Sequence, residues 1–264
     1  MGLAITRQLA ISPTPPRWFM AVTVVALATS CASGQDNPRP TVDPKFFGFD
    51  VPSAPLGDGG EVVRVRDETG KELIGKIHVR VGEHVVVMMP DGQLVARRGD
   101  EVREVDGLFV PEDKDALAKR LTDGAFKGFQ TRQSKRYLYL YNTTETFVVV
   151  ASRILETMAP GVMQYGEAQK IDVHEPEVPL VVVMFRDEKE YRRVTGAPEG
   201  MVAFYNAVDN RVAMYENSRL AYDRPDLAVQ QALATIAHEG AQQILHNIGL
   251  QQRLSVCPVW STKG

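Results

Sequence analysis

Cysteine is nearly missing from this chain. Its 264 residues hold two, Cys31 and Cys257. If Cys31 is lipidated or removed with a leader, no disulfide can form within a monomer, and Cys257 reads as a partly buried small hydrophobe. Excess charge of one sign is also missing. Thirty Lys and Arg stand against 33 Asp and Glu, for a net charge of -3. With no basic cluster to track phosphates, nucleic acid is excluded from the expected partners. Long hydrophobic runs and internal repeats are absent too: the apolar stretch at residues 18–28 is too short to span a bilayer comfortably. What is present is 44% hydrophobic content with ordinary Gly, Pro and aromatic levels. That suits a sizeable core and leaves room for two small domains.

The N-terminus carries an export signal. Arg7 and Arg17 precede the apolar stretch, which meets the small residues Thr29-Ser30-Cys31-Ala32-Ser33. A true start nearer Met20 fits the same pattern. Leu27-Ala28-Thr29-Ser30-Cys31 resembles a bacterial lipoprotein box with Ala28 in place of its usual Leu, which would make Cys31 the lipidated residue. Cleavage after Ala32 competes with it. Residues 1–32 are therefore expected to be a signal peptide, and residues 33–55 a polar, Pro-rich linker. The protein is expected to be exported to the periplasm, cell envelope or medium, touching membrane only through the signal or a lipid anchor.

Residues 56–110 alternate in short runs broken by Asp67-Glu68-Thr69-Gly70 and Pro90-Asp91-Gly92. Such spacing predicts a small antiparallel, barrel-like β domain. His78 and His84 fall in it as solvated or satisfied histidines. A helix is expected over residues 111–121, started by Pro111. A second domain, residues 126–264, opens with the strand Tyr137-Leu138-Tyr139-Leu140-Tyr141. There Asn142-Thr143-Thr144 caps a helix whose Phe147, Val150, Ile154, Leu155 and Met158 form a core stripe, ended by Pro160-Gly161. Residues 178–185 read as a buried strand. Residues 187–194 read as a helix boxed by Asp187 and Glu190. A hairpin pair turns at Val208-Asp209-Asn210. Residues 225–247 form the last helix, with Leu227, Leu233, Ile236, Ala237, Gly240 and Ile244 on its buried side.

That helix holds His238-Glu239-Gly240-Ala241-Gln242. In the pattern H-E-x-x-H, two imidazoles one helical turn apart bind one Zn²⁺ and the Glu activates its water. Here Gln242 replaces the second imidazole with a neutral, weak ligand. His246 lies two turns, roughly 12 Å, beyond His238, too far for one ion to bridge, and is expected to cap the helix C-terminus. His174 has no spacing that recommends it as a ligand. Tyr205, Tyr215 and Tyr222 read first as packing residues, with a transition-state hydrogen-bond donor as the other role open to them.

The order of strands and helices, the motif, the turn Asn247-Ile248-Gly249 and the later Pro258-Val259-Trp260 together resemble the peptidase-MA-like (gluzincin) proteins, specifically secreted bacterial families of undefined function. The resemblance runs from Tyr137 to Gly264. It implies an α+β fold: a small antiparallel β-barrel-like N-terminal domain followed by a zincin-like mixed sheet with an active-site helix. It further implies His238 as first zinc ligand, Glu239 as general base, and Gln242 and Lys263 at the positions of the other two ligands. An ammonium at Lys263 repels zinc, so the family's Zn cofactor is expected not to bind here. Such families continue beyond the equivalent of Gly264, so the zincin-like domain is expected to be incomplete. The leading expectation is an exported, catalytically inactive metallopeptidase-like protein. Its alternatives are a non-catalytic envelope module binding a peptide or protein, with an edge strand in the 201–216 hairpin adding a peptide, and an active zinc peptidase with unusual ligands.

Overall fold

Val63 and Val65 are buried while Arg64 and Arg66 are exposed, and this period-two pattern builds the first sheet. Its strands are β1 (Leu56–Gly57), β2 (Val62–Arg66), β3 (Glu72–Val81), β4 (His84–Met88), β5 (Leu94–Arg98) and β6 (Arg103–Glu104). They run antiparallel in the order β5-β4-β3-β2-β6, with β1 also on β3. Gly82, at φ 58°, takes the left-handed position in the tight turn joining β3 to β4. The expected antiparallel sheet is therefore there, but it does not close into a barrel. Among the described residues no ladder joins β5 to β6. β1 and β6 are two residues long, too short to carry the closing register. Both faces are covered instead. Val63, Val65, Ile77, Val85 and Val87 cluster on one, and Val79, Val81, Val86 and Leu94 meet Val178 and Leu254 on the other.

The computed structural model describes residues 56–57, 59–66, 70–217 and 223–254, all within one compact unit. The expected signal and linker, and Cys31, Tyr222, Cys257, Trp260 and Lys263, lie outside the described residues.

The second sheet holds β7 (Gln130–Gln133), β8 (Tyr137–Tyr141), β9 (Leu180–Asp187), β10 (Ala203–Asn206) and β11 (Arg211–Asn217) in the order β10-β11-β9-β8-β7. β8, β9 and β11 are parallel, and the outer pairs are antiparallel. Such central strands are covered on both faces and are apolar throughout. All five residues of β8 are buried, and their alternation sends tyrosines and leucines to opposite cores. Helices α2 (Glu145–Ala168) and α4 (Pro225–Asn247) cover the tyrosine side. Helices α1 (Lys114–Asp123) and α3 (Glu188–Thr195) cover the other.

Helix ends show where local rules lose. α1 starts after Asp113, whose carboxylate accepts from Asp115 N and Ala116 N, and not at Pro111. Asp187 Oδ1 accepts from Glu190 N at 2.9 Å as expected, whereas Glu190 gives its own carboxylate to Asn142. α2 runs straight through Pro160-Gly161. Ala159, Val162 and Met163 continue its apolar face against the core, and this burial outweighs the hydrogen bond that Pro160 cannot make. Within the expected stripe of α2, Val150 is exposed, and Val148 and Ala151 hold the core beside Leu155.

Candidate functional site

The described α4 bounds match the sequence reading, and Pro225 opens the helix. Its buried side is displaced from the expected one. Leu227 and Leu233 are exposed, while Ile236, Gly240, Gln243, Ile244 and Asn247 are buried. Gly240 is the point of closest approach to α2. A Cβ there would meet Leu155 Cδ2 at 2.1 Å and Met158 Cε at 2.9 Å.

His238 is exposed, and its Nε2 lies 2.9 Å from Gln242 Nε2. The side chains of His238 and Gln242 thus share a hydrogen bond, with the donor and acceptor roles set by the ring tautomer. Glu239 Oε2 accepts from Tyr205 N of the edge strand β10 at 2.7 Å. Burial pushes the Glu239 carboxyl above its usual range, opposed by the Tyr205 amide and then by His238. The two motif side chains therefore face different partners.

Behind them the helix carries polar residues that its periodicity concealed. Asn247 and Asn210 exchange side-chain hydrogen bonds at 2.8 and 2.9 Å. Asn210 is buried at φ 57°, the left-handed residue of the β10–β11 turn. Gln243 Nε2 donates to Asn210 O and Val181 O. Arg253, also buried, donates to Ala207 O at 2.7 Å, Gly92 O at 2.8 Å and Val208 O at 3.0 Å. This ties the β10–β11 turn to the β4–β5 turn of the first sheet.

His246 does not join the motif, nor does it cap the helix. Both of its ring nitrogens are shielded and without a partner, and the ring stacks on Tyr205 at 5.5 Å. Burial, aided by Arg253, lowers it to about 4, so it is neutral and offers no charge to the helix end. His78 departs from expectation in the same way. It stands at a register shift between Ile77 and Val79, a β-bulge on β3, and its Nε2 is shielded and unpartnered. Burial, then Arg253, His246 and Lys76, lower it to about 3. His174 lies in the coil before β9, its Nδ1 bonded to Glu175 O at 2.8 Å. These three histidines, far apart in sequence, line one cavity of about 380 Å³. Tyr205 hydroxyl donates to Asn210 Oδ1, and Tyr215 packs on Tyr191.

Among the described residues, no group of three His, Cys, Asp or Glu side chains is arranged to hold a metal ion. Whether Lys263 approaches His238 lies outside the described residues. A family described as a protein of unknown function (DUF1570) matches residues 232–264. That match spans most of α4, the altered motif and the segment containing Trp260 and Lys263. No curated protein and no solved structure matches the chain.

Proposed function

We propose that this protein is an exported gluzincin-like scaffold that has lost peptidase chemistry. One observation carries the reading: Gln242 occupies the second ligand position and hydrogen-bonds the His238 Nε2 that would face the metal. Catalytic zinc sites keep three protein ligands and one open position. Here one imidazole remains, its Nε2 bonded to Gln242, and by the family resemblance Lys263, a cation, stands in sequence where the third ligand belongs. Glu239 keeps a raised carboxyl suited to a general base, but its Oε2 accepts from the β10 backbone at Tyr205 N.

The test is restoration. The native chain is expected to show no stoichiometric zinc by elemental analysis after dialysis and no hydrolysis of a quenched peptide library. Gln242→His combined with Lys263→Glu is expected to bind one zinc per chain. Tight zinc binding with metal-dependent cleavage by the native chain would sink the proposal. Failure of a folded double variant to bind zinc would show that the scaffold is not of this type.

A further inference from the structure

The cavity between the first sheet and the end of α4 holds an imbalance that its neighbours leave uncorrected. Arg253 is buried, and the three bonds described for it go to backbone carbonyls. Carbonyls satisfy three of its donors without cancelling its charge. Among the described residues no carboxylate lies within ion-pairing distance of it. Asp91 and Asp209 act on it only from further away. Asp91 is taken by Arg120 at 2.9 Å, and Asp209 accepts from Asn206. Lys76 lines the same cavity and is matched by Glu177 at 2.8 Å. Two cations against one carboxylate, with His78 and His246 neutral, leave the wall with one net positive charge. The bulge that places His78 on this wall is the kind of irregularity that re-aims a side chain next to a site.

We propose that this cavity binds a small oxyanion, a carboxylate or a phosphate, with Arg253 supplying the charge and His78 and His246 supplying hydrogen-bond donors. A guanidinium has five N–H groups, and the three bonds to carbonyls leave one on each Nη to reach an oxyanion. A neutral imidazole always carries one N–H, and its χ2 torsion is soft enough to turn that donor toward a ligand. A cation is disfavoured by the same net charge. The volume of about 380 Å³ lies at the small end of ligand pockets, which sets the occupant as a small molecule and not a peptide. This site is separate from the His238–Gln242 pair and stands whether or not that pair ever bound zinc.

Calorimetric titration of the full chain with acetate, succinate and inorganic phosphate separates the two anion classes. One class is expected to bind at one site per chain with a dissociation constant below about 1 mM. His78→Leu and His246→Leu, each checked for folding by circular dichroism, are expected to weaken that binding at least tenfold. Arg253→Lys is expected to weaken it further where it folds. In the unaltered protein, the ¹⁵N resonances of His78 and His246 should move with the anion while those of His84 stay fixed, a readout that needs no variant. Absence of binding by all three anions overturns the proposal. So does binding that both leucine variants retain, or zinc binding that both variants abolish.

Discussion

At the scale of single residues, Gly240 shows how the His238–Gln242 stretch is fitted against its neighbours. Helix propensity alone favours alanine over glycine by about 1 kcal/mol in a helix interior. Against that, a Cβ at 2.1 Å from the fully buried Leu155 would force repacking that typically costs about 1–3 kcal/mol. The packing effect wins. Gly240→Ala is expected to lower stability by up to about 2 kcal/mol, read as a lower urea midpoint at unchanged slope. An unchanged or higher midpoint would show that α2 and α4 are not in close contact there. Single-residue chemistry at the motif was legible from spacing, because positions four apart share a helix face, and His238 and Gln242 do meet. Gln243 and Asn247 were not legible. They pair with a turn more than 30 residues earlier in the chain, which no local pattern encodes.

At the scale of elements, most of the strands and helices could be read from hydrophobic period, and the misreadings share a cause. Proline at 160 is a local stop signal, while the continuation of α2 is decided by the core it covers. Alternating valines predict strands without saying whether the outer ones are long enough to close a barrel, and β1 and β6 are not. The price of running α2 through Pro160 is testable. Without an N–H at 160, the carbonyl of Glu156 loses its helical donor, and proline costs about 3 kcal/mol relative to alanine inside a helix. Part of this is returned by the stiffer unfolded chain, about 1 kcal/mol at most. Pro160→Ala is therefore expected to stabilise the fold by about 2 kcal/mol in chemical denaturation. A lower midpoint would mean that a bend at 160 is needed for α2 to fit against α4.

At the scale of the whole molecule, the cavity is assembled from parts the sequence keeps apart: the bulge of β3, the coil before β9 and the end of α4. Only tertiary packing brings His78, His174 and His246 together, so no local spacing points to their common cavity. Their burial makes acid stability a property of the entire fold. The groups lining the cavity with His78 and His246 are Lys76, Arg253, Glu177 and His174, and both cations oppose added positive charge. Burial, aided by Arg253 and Lys76, lowers His78 to about 3, and burial aided by Arg253 lowers His246 to about 4, whereas an unfolded chain protonates histidine near 6.5. Between these values the unfolded state binds more protons than the folded one. Stability from these two groups is therefore complete above about pH 6.5 and falls as pH drops toward 4, by about 1.4 kcal/mol per pH unit for each histidine. Glu239, with its carboxyl raised by burial, works in the opposite sense. It favours the folded state where it is protonated, and that contribution fades as pH rises through its folded value. Urea unfolding at a series of pH values from 7.5 to 5 should show a net loss dominated by the two histidines. His246→Leu, compared with the unaltered chain across the same series, should remove about half of the slope. A flat profile in the unaltered chain would mean that His78 and His246 take up protons in the folded state, and hence that water or an acidic partner reaches the cavity.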